Sequence, residues 1–183
     1  MPRITIQPSE TNSQHRMPQL QDPPRILFVC LGNICRSPTA EGVFVRLAQE
    51  AGLVVVVDSC GTSDWHVGQA PYAPMQAAAK ARGYDLSTLK ARQIRLQDFD
   101  EFDLVLAMDA DNLAGVQALR PANARARLQL LLGYAAEAGV EQVPDPYYSR
   151  DFDQTIDLVE QAAQGLIRAL IARRDSQLMK GGQ

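Results

Sequence analysis

A cysteine and an arginine flank a short loop in the segment "CLGNICR", from Cys30 to Arg36. A cysteine becomes a nucleophile when its environment favours the thiolate. An arginine fork can hold two oxygens of one tetrahedral anion. Gly32 and Asn33 tolerate backbone conformations that turn successive N–H groups towards one point. The spacing therefore predicts a phosphate pocket in which Cys30 attacks phosphorus in line and forms phosphocysteine.

This loop needs a strand before it and a helix after it, and the flanking sequence predicts both. "ILFVC" is a continuous apolar run, typical of a strand covered on both faces. "PTAEGVFVRLAQEAG" has apolar residues at helical spacing and ends in a glycine. Ser37 has a side-chain oxygen that can cap that helix, and Pro38 suits its first turn, so the positive end of the helix faces the pocket. This setting favours a nucleophilic Cys30 over the alternative, a cysteine that only packs.

Strands and helices alternate along the rest of the chain. "LVVVVDS", "FDLVLAM" and "ARLQLLLG" are predicted strands, and "APMQAAAKARG", "DADNLAGVQAL" and "DFDQTIDLVEQAAQGLIRALIARR" are predicted helices. This order indicates an α/β fold with a parallel sheet and helices on both faces. Ligands of such sheets bind beyond the carboxyl ends of the strands, where "CLGNICR" lies.

The composition predicts a soluble globular protein. Of its 183 residues, 46% are hydrophobic and 21% are charged, which is enough for one domain with a real core. The net charge of −3 gives no general attraction to nucleic acid. We see neither an apolar run long enough for a membrane span nor the apolar centre of a signal peptide, so we expect a cytoplasmic protein.

The chain contains three cysteines and two histidines, His15 and His66. An odd number of cysteines suits a reducing compartment better than a disulfide framework. With so few histidines we expect no zinc site, no other metal or cofactor, and no Cys–His catalytic pair. Activation of the thiol must come from the loop itself.

The chain divides into three parts. Residues 1–24 are rich in Pro, Gln and Ser and are predicted to form a flexible tail. Residues 25–174 hold all the periodic elements and are predicted to form the catalytic domain. Residues 175–183 are predicted to be a flexible C-terminal end.

"VCLGNICRSPTAEGVF" closely resembles the signature of the low-molecular-weight protein tyrosine phosphatases. "DSCGTSDWHVG", "KARQI", "FDLVLAMDADNL" and "DPYY" follow in the family's order, so the resemblance covers residues 25 to about 174. It implies a three-layer α/β sandwich with a four-stranded parallel sheet in the order 2-1-3-4. It also implies hydrolysis of phosphotyrosine in proteins, without a cofactor. A bacterial tyrosine kinase of surface-polysaccharide assembly is one partner that the analogy offers.

The resemblance assigns roles to individual residues. Cys30 is the nucleophile, Arg36 binds the phosphate, and Asp145 is the general acid and then the general base. Pro144 and Pro146 stiffen the backbone around Asp145 and fix the direction of its carboxyl group; together with the Cys30 loop, this favours a catalytic carboxyl group over the alternative, a surface turn. Phosphate binding and loop support fall to Leu31, Gly32, Asn33, Ile34, Cys35, Ser37, Ser59 and Asp109. The walls that receive the aryl ring fall to Trp65, Tyr147 and Tyr148, together with Leu31 and Ile34.

Several alternatives remain open at this point. Trp65 could instead be an ordinary buried aromatic. Leu89 stands where many relatives have histidine, which predicts the loss of one bracing hydrogen bond. Cys60 stands where relatives carry alanine or glycine, and it either packs or exposes a second thiol. Cys35 shares the loop with Cys30, which predicts a protective disulfide under oxidation.

Three rival functions accompany the phosphatase hypothesis. Arsenate reductases of the same fold need further cysteines downstream, and no cysteine follows Cys60. Protein arginine phosphatases favour threonine at the position of Ile34. A catalytically silent phosphate-binding module would not need the set of Cys30, Arg36 and Asp145.

Overall fold

The computed structural model describes residues 4–5 and 22–181, and within them five strands form one sheet. The strands are β1 (Ile4–Thr5), β2 (Arg25–Cys30), β3 (Val56–Gly61), β4 (Leu104–Ala107) and β5 (Arg127–Leu130). Their spatial order is β1-β3-β2-β4-β5, with β2 to β5 parallel and β1 antiparallel to β3. The predicted parallel sheet with the order 2-1-3-4 is confirmed as β3-β2-β4-β5.

Helices cover both faces of this sheet. They are α1 (Arg36–Glu50), α2 (Ala73–Ala81), α3 (Asp98–Glu101), α4 (Ala110–Leu119), a 3₁₀ helix (Leu131–Tyr134), α5 (Pro146–Ser149) and α6 (Phe152–Gly181). The sequence analysis did not predict α3, the 3₁₀ helix or α5, because each is too short to show a hydrophobic period. The predicted strand "ARLQLLLG" was therefore too long, since its second half forms the 3₁₀ helix.

The central strand β2 is buried on both sides, and its side chains alternate between two apolar clusters. Ile26 and Phe28 belong to the larger cluster, which also contains residues of α1, α2 and α6. Leu27 and Val29 belong to the smaller cluster with residues of α3 and α4. Phe28 meets Phe44 of α1 edge to face, with ring centroids 5.7 Å apart. Burial of each such side chain contributes about 1.5–3 kcal/mol, so β2 is fixed firmly beneath the loop that follows it.

The two ends of the chain differ from the sequence prediction. Most of the predicted tail, residues 1–24, lies outside the described residues, but Ile4–Thr5 pairs with Val56 and Val57 at the sheet edge. A two-residue strand carries no readable period, so the sequence could not predict it. At the other end, α6 continues to Gly181, past the predicted boundary at residue 174. Residues 175–180 contain neither proline nor glycine, so nothing in them stops the helix.

Across the described part of the chain, no helix combines the length and the apolar character that crossing a membrane requires. The 30-residue helix α6 packs its apolar stripe against α1 and the 3₁₀ helix instead. At Gly165 of α6, an added Cβ would lie 1.9 Å from the carbonyl oxygen of Tyr134, so the helix backbone rests directly on the 3₁₀ turn.

Candidate active site

The loop between β2 and α1 lies at the carboxyl edge of the sheet. Cys30 is the last residue of β2, and Arg36 is the first residue of α1. Asn33 has φ 54°, a left-handed conformation that lets the loop turn back on itself. Gly61, at the end of β3, lies under the loop, since an added Cβ would sit 2.7 Å from the carbonyl oxygen of Leu31. The sequence analysis missed Gly61, because nothing in the chain's local pattern reveals this contact.

The sulfur of Cys30 is buried and surrounded by hydrogen-bonding groups. The backbone N–H of Asn33 donates to Sγ at 3.2 Å, and Ser37 Oγ lies 3.1 Å from it. Ser37 does not cap α1 as the sequence predicted. The cap position is Cys35, which makes no side-chain capping bond. Because Ser37 faces the sulfur, its hydroxyl can stabilise a thiolate.

Asn33 and Ser59 brace the loop from behind. The side-chain amide of Asn33 donates to Ser37 Oγ and to Ser59 Oγ, both at 2.9 Å. Its carbonyl oxygen accepts from the backbone N–H of Arg92 at 2.9 Å. The amide is thus bonded at both ends without a histidine at position 89. Leu89 packs against the larger apolar cluster instead.

A buried carboxyl group, Glu41, completes this brace and was missed by the sequence analysis. It is 5% exposed, and Ser59 Oγ donates to its Oε2 at 2.6 Å. Burial raises the pKa of Glu41 to about 7, and the hydrogen bond from Ser59 opposes that shift only in part. Its position on α1, four residues after Ser37, could have indicated an inward direction.

Arg36 is held between two carboxylates from distant parts of the chain. Its Nη1 donates to Asp109, and its Nη2 donates to Asp145 at 2.9 Å. Asp109 caps α4 by accepting from Asn112 N at 2.7 Å, and Asp145 caps α5 by accepting from Tyr147 N at 3.0 Å. Since each carboxyl group begins a helix, its direction is fixed by backbone geometry. Because both carboxyl groups are fixed, they also fix the plane of the Arg36 guanidinium.

The three cysteines occupy different environments. Burial, followed by the nearby Cys30, raises the pKa of Cys35 to about 12. Cys60 is completely buried, which raises its pKa well above the ordinary value. Both are therefore neutral thiols at neutral pH, and Cys60 packs in the smaller apolar cluster rather than exposing a thiol. Cys30 alone lies among hydrogen-bond donors at the cleft.

A cleft of about 190 Å³ opens above Cys30. It is lined by Cys30, Leu31, Gly32, Ile34, Cys35, Arg36, Trp65, His66, Asp145, Tyr147 and Tyr148. Trp65 is 69% exposed, so its reading as a buried aromatic is wrong; it stands at the rim with Tyr147 and Tyr148. His66, which the sequence analysis did not place here, lies over Gly32 and contacts Gln69 Oε1 through Nδ1 at 2.9 Å. Among the described residues, no group of three His, Cys, Asp or Glu side chains could hold a metal ion.

Comparison with known proteins shows to which family the chain belongs. The model of the family described as low molecular weight phosphotyrosine protein phosphatase matches residues 25–177. The low molecular weight protein-tyrosine-phosphatase YfkJ of Bacillus subtilis is 36% identical over 147 residues, which are 79% of this chain and 94% of YfkJ. The fold and the comparison define a phosphoric monoester hydrolase. The chain belongs to the low molecular weight phosphotyrosine protein phosphatase family and is a low-molecular-weight protein tyrosine phosphatase.

Solved structures agree with this assignment. The crystal structure of YfkJ superposes with a TM-score of 0.79 at 34% identity and covers 84% of this chain and 98% of its own. A protein tyrosine phosphatase of Entamoeba histolytica with Hepes in the active site gives 0.78 at 35% identity, covering 82% and 99%. DARP, a drosophila arginine phosphatase, gives 0.74 at 31% identity, covering 79% and 96%. The fold alone therefore does not decide between phosphotyrosine and phosphoarginine.

Proposed function

We propose that this enzyme hydrolyses phosphotyrosine in proteins through a phosphocysteine intermediate on Cys30. In the first step, the loop N–H groups and the fork of Arg36 hold the phosphate, and the Cys30 thiolate attacks phosphorus in line. The bond from phosphorus to the tyrosine oxygen breaks, and Asp145 gives that oxygen its proton. In the second step, Asp145 takes a proton from water. That water attacks phosphorus, releasing inorganic phosphate and the Cys30 thiolate.

The observation that carries this proposal is the meeting of three groups at one cleft. Cys30, Arg36 and Asp145 all line it, although they come from β2, α1 and the start of α5. Asp145 is 2.9 Å from the guanidinium of Arg36, so the proton donor stands beside the group that holds the phosphate. The second carboxylate, Asp109, braces Arg36 from the start of α4 and does not line the cleft.

The lining of the cleft favours an aromatic phosphate ester. A phosphotyrosine ring gains by burial against Tyr147, Trp65 and the side chain of Ile34. A phosphoserine side chain is too short to bring its phosphate down to Cys30. A phosphoarginine would carry its polar guanidino group past apolar Ile34, at a cost of about 1–3 kcal/mol. Arsenate reduction by a disulfide relay is disfavoured, because that relay needs further cysteines downstream and no cysteine follows Cys60.

Mass spectrometry after rapid acid quench tests the proposal. A phosphotyrosine peptide mixed with the enzyme should leave a phosphoryl group on Cys30, and Cys30→Ser should abolish turnover while retaining phosphate binding. Matched phosphoserine and phosphoarginine peptides should react much more slowly, and Ile34→Thr should narrow the gap for phosphoarginine. Equal rates on all three peptides, or substantial turnover by Cys30→Ser, would refute the proposal.

The physiological substrate is a phosphotyrosine-containing protein, and we propose a bacterial tyrosine kinase as the first candidate. The cytoplasm is the proposed location, because three free thiols remain reduced there. A pull-down with Cys30→Ser as bait tests the partner, since this variant should hold its substrate without hydrolysing it. Cys30→Ser combined with Arg36→Ala is the control, because it should release any partner that binds through the phosphate.

A further inference from the structure

Arg150 directly follows α5, the short helix that carries the two tyrosines at the rim, Tyr147 and Tyr148. It has φ 63° and ψ 12°, the left-handed conformation that glycine most often supplies after a helix. An arginine adopts this conformation only at an energetic cost. Residues in such sparsely populated backbone conformations cluster at functional sites, and Arg150 lies beside the cleft.

The side chain of Arg150 is fixed against two aromatic rings. Its guanidinium carbon lies 5.3 Å from the ring centroid of Tyr72 and 5.6 Å from that of Tyr147. The two rings are themselves 5.4 Å apart, and Nη1 of Arg150 donates to the Tyr72 hydroxyl. Cation–π contact does not use the N–H groups at the guanidinium edge, so those that do not bind the Tyr72 hydroxyl can still bind an acceptor. Because Tyr147 lines the cleft, this cation stands one ring away from the place of the substrate's own ring.

Arg150 differs from the other arginines near the loop. Arg36 and Arg92 each bind two carboxylates. Arg150 is exposed, and no carboxylate in the described part of the chain pairs with it. Its positive charge nevertheless acts on the loop. Burial raises the pKa of Cys35, and Arg150 is among the positive charges that oppose this shift. The cleft thus has an anchored and unpaired positive charge at its rim.

We propose that Arg150 is a specificity residue that selects phosphotyrosine sites with an acidic side chain within two residues of the phosphotyrosine. The inference rests on the proposed function and names its preferred substrate class. With the phosphate held by Arg36 and the aryl ring against Tyr147, the peptide backbone leaves the cleft past the rim. Consecutive Cα atoms are about 3.8 Å apart, so the side chain of a neighbouring residue can reach a guanidinium behind one aromatic ring. A glutamate or aspartate there would bind the arginine fork.

The test compares kcat/KM for phosphotyrosine peptides that differ at one position. A neutral parent peptide is compared with versions carrying a single glutamate, placed in turn at each of the three positions before and after the phosphotyrosine. The best glutamate position should gain about three- to fivefold at low ionic strength, the range of an exposed ion pair. About 0.5 M salt should reduce the gain to less than twofold.

Three variants separate charge from shape. Arg150→Gly suits the left-handed backbone and should remove the glutamate preference, whereas Arg150→Lys should retain part of it. Arg46→Gln removes one positive charge from an exposed site ten residues along α1 and should leave the preference intact. If Arg150 only props the tyrosine rings, Arg150→Gly would slow neutral and acidic peptides equally. That result, or a glutamate preference that persists in Arg150→Gly, would overturn the proposal.

The wild-type enzyme distinguishes this inference from the proposed function. Hydrolysis of para-nitrophenyl phosphate and of the neutral peptide without any gain from glutamate would refute the role of Arg150 and leave the phosphatase function standing. Failure to hydrolyse either substrate would refute the proposed function itself.

Discussion

Two arginines near the loop, the buried Arg36 and the half-buried Arg92, have the same kinds of partner but lie in different surroundings. Arg36 binds Asp109 and Asp145, and Cys30 is nearby. Arg92 binds Asp58 and Asp98, and Cys60 is nearby. Each arginine therefore has two carboxylates and a thiol within its electrostatic reach. We call these groups the front cluster and the rear cluster.

The difference between the clusters lies in what each one faces. Asp145 and Asp109 of the front cluster have side chains 27% and 22% exposed, and the cleft opens directly above Arg36. In the rear cluster the side chain of Asp98 is 0% exposed and Cys60 is completely buried, while the side chains of Arg92 and Asp58 are 17% and 23% exposed. We therefore expect the front cluster, whose thiol lines the cleft, to serve chemistry, and the rear cluster, whose thiol is buried in the core, to serve stability. Asn33 joins the clusters, since it contacts Cys30 through its N–H and Arg92 through its side chain.

Substitution of the two arginines should separate the clusters most clearly. Arg36→Lys keeps the charge but loses the planar fork, so kcat/KM for para-nitrophenyl phosphate should fall about 100- to 1000-fold with little loss of stability. Arg92→Met removes the shorter of the two ion pairs of the buried Asp98 and leaves it only the exposed Arg95, at 3.4 Å, so it should reduce the free energy of unfolding by about 3 kcal/mol. Urea titration and steady-state kinetics measure both effects. A loss of activity in Arg92→Met as large as that in Arg36→Lys, well below the melting temperature, would contradict the division.

The two carboxylates of the front cluster should also behave differently. Asp145→Asn should slow phenyl phosphate by about 100-fold or more but a good leaving group much less, since only a poor leaving group needs the proton. Asp109→Asn can still cap α4, so it should slow all esters by the same, smaller factor through the orientation of Arg36. The measurement is the slope of log kcat against leaving-group pKa for a series of aryl phosphates. Equal slopes in both variants would remove Asp145 as the acid.

Oxidation should distinguish the cysteines of the two clusters. Peroxide should convert the Cys30 thiolate to a sulfenic acid. The Cys35 thiol then condenses with this sulfenic acid, forming a disulfide and water. Activity should then return with a thiol reductant, while Cys60 remains reduced because it is buried. Peptide mapping by mass spectrometry and recovered activity provide the two readouts. In Cys35→Ser the recovered fraction should drop, and irreversible sulfonic acid at Cys30 in the unmodified enzyme would count against the disulfide.

The smallest effect on activity is expected at Glu41, which connects to Asn33 through Ser59. Burial raises the pKa of Glu41 from its ordinary value of 4.5 to about 7, so between these values the folded protein holds a proton that the unfolded chain has released. Stability from this group is therefore complete below about pH 4.5 and is lost as the pH rises to about 7.

Glu41→Gln should remove this dependence. Relative to wild type, the variant should gain on the order of 2–3 kcal/mol between pH 5 and pH 8, measured by urea titration at each pH. Glu50→Gln changes an exposed carboxylate of the same helix and provides the control. A difference in the free energy of unfolding between Glu41→Gln and wild type that is the same at pH 5 and pH 8 would show that Glu41 does not cause the pH dependence.

Local patterns in the sequence were enough to predict the loop, the strand before it, the helix after it and the parallel sheet. These follow from local information: a continuous apolar run encodes a buried strand, and helical spacing encodes a covering helix. The family resemblance added Asp145 and Asp109, and the comparisons established the family. The sequence analysis assigned no role to four residues near the cleft, because each makes a contact that no local sequence pattern predicts. They are Gly61, Glu41, His66 and Arg150.

Which of the two clusters lies at the cleft depends on contacts between distant parts of the chain. Arg36 meets partners 73 and 109 positions further along the chain, and Arg92 meets Asp58 from 34 positions away. Such pairs form only when strand register, helix starts and core packing bring distant segments together, and no period in the sequence records them. The sequence contains both arginines with their carboxylates and thiols. Only packing opens a cleft over the thiol of one set and buries the thiol of the other in the core.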